Sequence, residues 1–278
     1  WLEDIAEAAQ ARAATQIGAD LQSAEITPQE ALRRLQGVTS VASSGRAGVQ
    51  IHTFKELYAY KKEEDTTTLL GDRWVCQGAQ LLLVGQSGIG KSSLTVQAAM
   101  TWGLGRPFFG IAPARPLKSL YLQAENDEGD MAEVVQGVMT YVINKSGMDK
   151  GRCLKQLQDN LLMVRSTAQT GEEFVALVGD LCQEHGPFDL VLADPLLSFI
   201  GDDISQQSVA SHFLRELCNP LAFRHKFAWV FSHHTGKPQS DSKARQHWNT
   251  NDYAYIGLGS SELTNWARAI AVLQTTEY

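Results

Sequence analysis

One stretch constrains the fold more than any other, the glycine-rich run QLLLVGQSGIGKSS at Gln80–Ser93. Within it, residues 85–92 match G-x-x-x-x-G-K-S/T, the pattern of a phosphate-binding loop. Leu81–Val84 is an unbroken apolar run, typical of a parallel strand that is buried on both faces. The segment 92–102 after the loop has helical apolar spacing and ends at Gly103, a natural helix C-cap. The stretch therefore predicts a strand, a phosphate-binding loop and a helix.

The chemistry of a triphosphate explains this spacing. Glycine permits a loop whose backbone N–H groups point inward with no Cβ in the way. The following helix adds the positive end of its dipole, Lys91 can reach the β and γ phosphates, and the Ser92 hydroxyl can ligate Mg²⁺. We therefore predict a binding site for ATP and Mg²⁺. The residues predicted to hold the nucleotide are Gly85, Gln86, Ser87, Gly88, Ile89, Gly90, Lys91, Ser92 and Ser93.

The composition limits the class of protein. The 278 residues are 44% hydrophobic and 20% charged, which is enough for one large core. The formal net charge of -7 provides no global basic field, so any contact with nucleic acid must be local. The four cysteines form no C-x-x-C pair, which argues against a zinc site and against a disulfide framework. This cysteine pattern fits a reducing cytoplasm best, so we expect a cytoplasmic protein. The sequence also has no apolar run of membrane-spanning length and no signal peptide.

We expect one main domain, residues 69–278, preceded by an N-terminal helical arm and linker at residues 1–68. Helical spacing in the first residues and a capping box at residues 27–30 predict short helices without a core of their own. These helices either pack on the main domain or dock on a neighbouring subunit. Because the chain begins with Trp1 and not with methionine, we also expect it to be a piece of a longer protein.

Strand-like and helical patterns alternate after the loop. Strand-like runs lie at residues 119–124, 161–165, 189–194, 227–232 and 268–273. Helical patterns lie at residues 131–143, 172–182 and 205–223. This alternation predicts an α/β fold with a doubly wound, mostly parallel sheet and helices on both faces. In such a sheet the ligand binds at the carboxyl ends of the strands.

Asp194 closes one of these strands, in the segment DLVLAD, in the manner of a Walker B aspartate. It can converge with Lys91 at the carboxyl edge of the sheet and neutralise phosphate charge as a ligand of Mg²⁺. Its alternative role is to cap a turn before Pro195.

Glu125 follows another strand at the same edge and is the candidate general base. A carboxylate there can orient the attacking water and accept its proton. Asp127 and Glu128 are near enough in sequence to compete for the role, and one of the three carboxylates has a helix N-cap as its alternative.

Five segments together resemble one family of ATPases. They are GQSGIGKSS, LYLQAEND, DLVLADP, FSHHTGK and GSSELTNWARAIAVL, within residues 69–278. The set resembles the RecA-like P-loop ATPases of the RepA hexameric replicative helicase type, in the AAA family that includes plasmid RepA. The resemblance implies a RecA-like fold and Glu125 as the catalytic base. It also implies His234 as a sensor of the γ-phosphate and Arg268 as an arginine finger for the neighbouring subunit's ATP, with Lys237 as a second candidate.

Purely structural roles are the alternatives for two of these assignments. Adjacent His233 and His234 point to opposite faces of a strand, so one of them can simply be buried. Arg268 can be a structural residue of the surface.

The polar segment 238–255 resembles, in this fold, the loop that faces the central channel of a ring. Its basic residues and Trp248 suit single-stranded nucleic acid, through phosphate pairing and base stacking. We therefore expect a ring-forming homo-oligomeric motor on single-stranded DNA, in replication or in a mobile element. The alternative is a regulatory or assembly ATPase in which the nucleotide drives oligomerisation and no strand is unwound.

Overall fold

The computed structural model describes residues 15–17, 19–23, 27–28, 31, 51–234 and 261–274. The chain divides into two compact units, residues 1–60 and 61–278. In the first unit, helix α1 (Phe54–Tyr58) begins at a capping box in which Thr53 and Glu56 bond each other's backbone N–H groups. The predicted helix at the start of the chain and the predicted capping box at residues 27–30 lie wholly or partly outside the described residues.

The described residues of the second unit form two sheets. A small antiparallel pair is formed by β1 (Thr68–Leu70) and β2 (Val75–Cys76). The large sheet is formed by β3 (Gln80–Gly85), β4 (Ser119–Gln123), β5 (Leu161–Arg165), β6 (Leu190–Asp194), β7 (Ala228–His234) and β8 (Ala269–Leu273). These six strands are all parallel and lie in the order β5-β4-β6-β7-β3-β8. The predicted RecA-like doubly wound parallel sheet is therefore confirmed.

Helices surround this sheet. They are α2 (Lys91–Gly103), α3 (Glu128–Ser146), α4 (Lys150–Asn160), α5 (Gly171–His185), α6 (Leu197–Ile200), α7 (Gln207–Ser211), α8 (Asn219–His225) and α9 (Glu262–Trp266). Helix α4 was not predicted; its few apolar residues are Cys153, Leu154 and Leu157, of which only Cys153 and Leu157 are buried. The single helix predicted at residues 205–223 consists of α7, a π-helical segment at His212–Cys218 and α8.

The four central strands, β4, β6, β7 and β3, are buried on both faces, whereas the edge strands β5 and β8 are mostly half-buried. Alternation along each strand sends neighbouring residues to opposite sides of the sheet. One side packs against α2, and we call it the α2 face; it takes Leu81, Tyr121, Leu192 and Val230. The other side takes Trp229 and Phe231, and we call it the aromatic face. Among the described residues, no helix is long and apolar enough to cross a membrane.

Candidate active site

The glycine-rich loop joins β3 to α2 at the carboxyl edge of the sheet. Gly88 and Gly90 adopt φ +76° and +93°, a region in which a side chain is strained, and no atom lies within 4 Å of a Cβ added to either glycine. Gly90 is also the N-cap of α2 and provides no side-chain hydrogen bond to the first turn. Open space over the glycines and a helix start without a side-chain cap fit the phosphates of a nucleotide.

Lys91 lies in the first turn of α2 and is buried. Its ammonium donates to the carbonyl oxygens of Gly85 at 2.9 Å and Gln86 at 2.7 Å, and to Nδ1 of His234 at 3.1 Å. An ammonium has three hydrogens, so these contacts use its full capacity. Burial lowers the pKa of Lys91, and the negative charges of Asp194 and Glu125 oppose that shift. The structure thus places Lys91 within the loop, where we predicted it.

His234 reaches this site because β7 pairs in parallel with β3, which sets His234 beside Gly85. Burial and the positive charge of Lys91 lower the pKa of His234, so the ring is neutral at pH 7 and accepts the ammonium hydrogen on Nδ1. The preceding His233 points to the opposite face and is fully buried. The expectation that one of the two histidines is buried is confirmed.

Asp194 is the centre of a buried hydrogen-bond network on the α2 face, and it is only 2% exposed. The hydroxyl of Tyr121 donates to its Oδ2 at 2.8 Å, and the hydroxyl of Ser232 donates to its Oδ1. The side-chain amide of Gln123 donates to Oδ2 at 3.5 Å. Because a buried carboxylate is costly without hydrogen bonds, these three donors satisfy its oxygens and fix their position at the end of β6.

The sequence did not predict a place in the site for Tyr121, Gln123 or Ser232. Tyr121 is a reliable donor, since burial and the charge of Asp194 raise its pKa far above the ordinary value. Tyr121 and Gln123 are two residues apart at the end of β4, and Ser232 stands two residues before His234 at the end of β7. Polar residues at every second position of an otherwise apolar strand were the signal in the sequence.

The three carboxylates that follow β4 have different surroundings. Asp127 is the N-cap of α3, where its side chain accepts from the N–H of Asp130 at 2.9 Å. Glu128 lies in the first turn of α3 and is exposed. Glu125 is also exposed, and its negative charge partly opposes the lowering of the pKa of Lys91 and of His234. Asp127 is thus engaged in capping α3, whereas the side chains of Glu125 and Glu128 are exposed.

Arg268 does not join this group. Its N–H donates to the carbonyl oxygen of Gln80 at 3.0 Å, which places it at the amino end of β3. At about 3.3 Å per residue, Gln80 and Gly85 are roughly 16 Å apart, too far for Arg268 to reach the loop of its own chain. The arginine is exposed. Lys237 and the predicted channel segment 238–255 lie outside the described residues.

The donors at this edge fit Mg²⁺ bound together with phosphates. No group of three or more His, Cys, Asp or Glu side chains that would hold a metal unaided occurs in the described part of the chain. Magnesium in nucleotide sites takes only one or two protein ligands, because phosphates and waters supply the others. The half-buried Ser92 in the first turn of α2 and Asp194 at the end of β6 are the oxygen ligands that the sequence predicted.

The model of a family described as an AAA domain matches residues 53–240, which is more than half of the chain. The matched range includes the loop, α2 and the strands that carry Asp194 and His234. A comparison with curated protein sequences finds no similar sequence.

Proposed function

The chain belongs to the AAA domain family, and we propose that it is a ring-forming motor that hydrolyses ATP while it acts on single-stranded DNA. The family and the six-stranded parallel sheet identify a P-loop ATPase. The observation that carries the chemistry is the convergence of Lys91, His234 and Asp194 at one edge of the sheet. The motor function rests on the resemblance to RepA-type helicases, together with the basic and aromatic residues at 238–255.

The loop provides the phosphate-binding groups in this proposal. The backbone amides of residues 85–93 surround the phosphates, and Lys91 exchanges its bonds to the carbonyls of Gly85 and Gln86 for bonds to phosphate oxygens. Donors fixed in advance stabilise the charge that develops during phosphoryl transfer without a cost of reorganisation. Ser92 and Asp194 would hold Mg²⁺, which when bound neutralises phosphate charge.

Glu125 acts as the general base in this proposal. Its exposed carboxylate orients a water molecule for in-line attack and accepts the proton. His234 loses its bond to Lys91 when the lysine turns to the phosphates, so the orientation of His234 reports whether a nucleotide is present. A side chain at the end of β7 can pass this change to the residues that follow it in the chain.

A single assay distinguishes a motor on single-stranded DNA from a regulatory or assembly ATPase. ATP turnover is measured with and without single-stranded DNA, with Lys91→Ala as a control for contaminating activity. A rate that rises several-fold on DNA supports the motor. Oligomers that form on a non-hydrolysable ATP analogue, with turnover indifferent to DNA, would support a regulatory or assembly ATPase instead.

The position of Arg268 makes a separate prediction about assembly. Because this arginine is too far from its own loop, we propose that it completes the ATP site of a neighbouring copy of the chain, with residues 69–278 forming the ATPase domain and residues 1–68 an N-terminal arm. Arg268→Ala should then bind ATP normally and lose most of its turnover, on the order of a thousandfold. The matched surface variant Arg224→Ala should behave as the parent protein.

Mixing two inactive variants sharpens this test. In a mixture of Arg268→Ala with Lys91→Ala, some interfaces pair an intact loop with an intact arginine, so ATP hydrolysis should reappear. If the two variants assemble together and the mixture is no more active than either variant alone, an arginine finger supplied in trans is refuted. The same conclusion follows if the parent protein is a monomer whose turnover per chain does not depend on protein concentration.

A further inference from the structure

The side chain of Gln123 forms hydrogen bonds with both acidic residues of the site, Glu125 and Asp194. It is the last residue of β4 and is only 1% exposed. Its Oε1 accepts from the N–H of Glu125 at 2.9 Å. Its Nε2 donates to the hydroxyl of Tyr121 at 3.2 Å and to Oδ2 of Asp194 at 3.5 Å. One buried amide therefore connects the backbone that carries Glu125 to the carboxylate of Asp194.

We propose that Gln123 is a positioning residue, which holds the candidate base Glu125 at a fixed place relative to Asp194. This proposal rests on the proposed function, because it assigns a task to a residue that supports the same ATP site. Gln123 acts through its neighbours and does not itself touch the substrate.

The backbone around Gln123 is fixed on both sides, which makes the amide a rigid support. The N–H of Ser166, after β5, donates to the carbonyl oxygen of Gln123 at 2.9 Å. The N–H of Ala124 donates to the carbonyl oxygen of Asp194 at 3.3 Å. The chain leaves the sheet directly after Gln123, the last residue of β4. The hydrogen bond from the N–H of Glu125 to Gln123 therefore sets the direction of the backbone at this point.

Glu125 depends on this support because its own side chain is exposed. An exposed carboxylate is not held by packing, so its position follows from the backbone that carries it. A displacement of a reacting group by 1 Å can cost about a hundredfold in rate. The amide combines an acceptor for the N–H of Glu125 with a donor for Asp194, whereas a carboxylate at position 123 offers no donor and an aliphatic side chain offers neither group.

The experiment is a double-mutant cycle between Gln123→Met and Glu125→Gln, with kcat, KM for ATP and the affinity for a fluorescent non-hydrolysable ATP analogue measured for each protein. Methionine keeps the volume of glutamine and removes both hydrogen-bonding groups. We expect Gln123→Met to lower kcat by about ten- to a hundredfold. Its affinity for the analogue should stay within about twofold of that of the parent, because the phosphate-binding loop is untouched. In the Glu125→Gln background the same substitution should lower kcat by much less, since the base it positions is already absent.

Ser232→Ala is the matched control, because it removes a donor to Oδ1 of Asp194, and among the contacts of the described residues Ser232 bonds neither Gln123 nor Glu125. Its effect on kcat should be the same in the parent and in the Glu125→Gln background. If Gln123→Met does not fold, Gln123→Asn enters the same cycle, since it keeps the polar group and shortens it by one methylene.

The outcomes separate this proposal from the proposed function. If Glu125→Gln is slow and Gln123→Met lowers kcat by the same factor in both backgrounds, Gln123 has only a structural role and the positioning proposal is wrong. If Glu125→Gln turns over ATP like the parent, both the base and its positioning residue are refuted. If the parent protein hydrolyses no ATP, the proposed function fails first, and this inference falls with it.

Discussion

The two faces of the six-stranded sheet differ in what they carry: one packs aromatic rings, and the other carries hydrogen-bonded polar side chains. On the aromatic face the rings of Phe174, Phe199, Trp229 and Phe231 pack with centroids 4.4 to 6.1 Å apart, and these side chains are fully buried. On the α2 face the packing is apolar towards the amino ends of the strands and becomes a hydrogen-bonded network at their carboxyl ends. The same short strands thus carry a rigid apolar layer on one side and the candidate site on the other.

The difference shows how a small sheet can hold polar groups in fixed positions. Buried polar groups are tolerated only when they are hydrogen-bonded, and a network with one missing partner loses more than one bond. Aromatic contacts on the other side fix the strand backbones from which these polar side chains project. Substitutions on the two faces should therefore have different consequences, namely loss of activity on one and loss of stability on the other.

The largest effect is expected from Lys91→Ala on the α2 face. The variant loses a cation that is fixed within the loop and aimed at the site of the phosphates, so ATP turnover should fall on the order of a thousandfold or more. Steady-state hydrolysis and equilibrium binding of a labelled nucleotide measure the loss. Nucleotide affinity and turnover equal to those of the parent would remove the loop from the ATP site.

A somewhat smaller effect is expected from Glu125→Gln, which separates chemistry from binding. Glutamine keeps the size of the side chain but cannot accept a proton, so turnover should fall about a hundred- to ten-thousandfold while MgATP binding stays close to that of the parent. Single-turnover hydrolysis measures the chemical step directly. If the variant hydrolyses ATP at a near-normal rate, the base is Glu128 or another carboxylate, since Asp127 is engaged in capping α3.

Two neighbours in β7 test the comparison of the faces most directly. Ser232 donates to Asp194 on the α2 face, and Phe231 packs against Trp229 and Trp266 on the aromatic face. Ser232→Ala should lower turnover about tenfold and the free energy of unfolding by about 1 kcal/mol. Phe231→Leu should cost about 1 to 3 kcal/mol in the free energy of unfolding and leave turnover per folded molecule near that of the parent. Equal losses of activity in the two variants would show that the faces are not separate in function.

The sequence predicted the loop, the parallel sheet and the approximate positions of its six strands, because each depends on a contiguous pattern. It also placed Lys91, Asp194 and Glu125 at the same edge, since all three follow or border strand ends. It did not predict that Gln123 and Ser232 contact Asp194, because those contacts depend on which strands are neighbours and in which register. The strand order β5-β4-β6-β7-β3-β8 is not readable from a single sequence, as it follows from packing across the whole sheet.

A single sequence also does not reveal helices with little apolar surface, or contacts between residues that are far apart in the chain. Helix α4 escaped prediction because most of its side chains are polar. Asp127 was recognisable only as one of three candidates, and its capping bond to Asp130 distinguishes it from Glu125. The distance of Arg268 from its own loop follows from the pairing of β8 with β3, which no local pattern predicts.

The smallest effect concerns pH and compares a histidine on each side of the sheet. Burial and Lys91 lower the pKa of His234 on the α2 face, and burial and Arg224 lower the pKa of His225, which ends α8. Below about pH 6.5 each of these histidines binds a proton in the unfolded chain but stays neutral in the folded chain until the pH reaches its lowered pKa. The free energy of unfolding therefore decreases as the pH falls from about 6.5 to the lowered pKa. His234→Gln and His225→Gln should each lose less stability than the parent between pH 7 and pH 5.5.

The two histidines differ in a second measurement, the affinity for nucleotide. Glutamine at position 234 can still accept a hydrogen bond from Lys91 but does not titrate, so His234→Gln should remove the part of the pH dependence of ATP binding that arises from this ring. His225→Gln should leave that pH dependence as it is in the parent, because His225 makes no bond to Lys91 or to the loop residues among the contacts of the described chain. Urea titrations and nucleotide titrations at both pH values test the pair. If His234→Gln reproduces the pH profile of the parent in both measurements, the contact between His234 and Lys91 does not couple protonation to the ATP site.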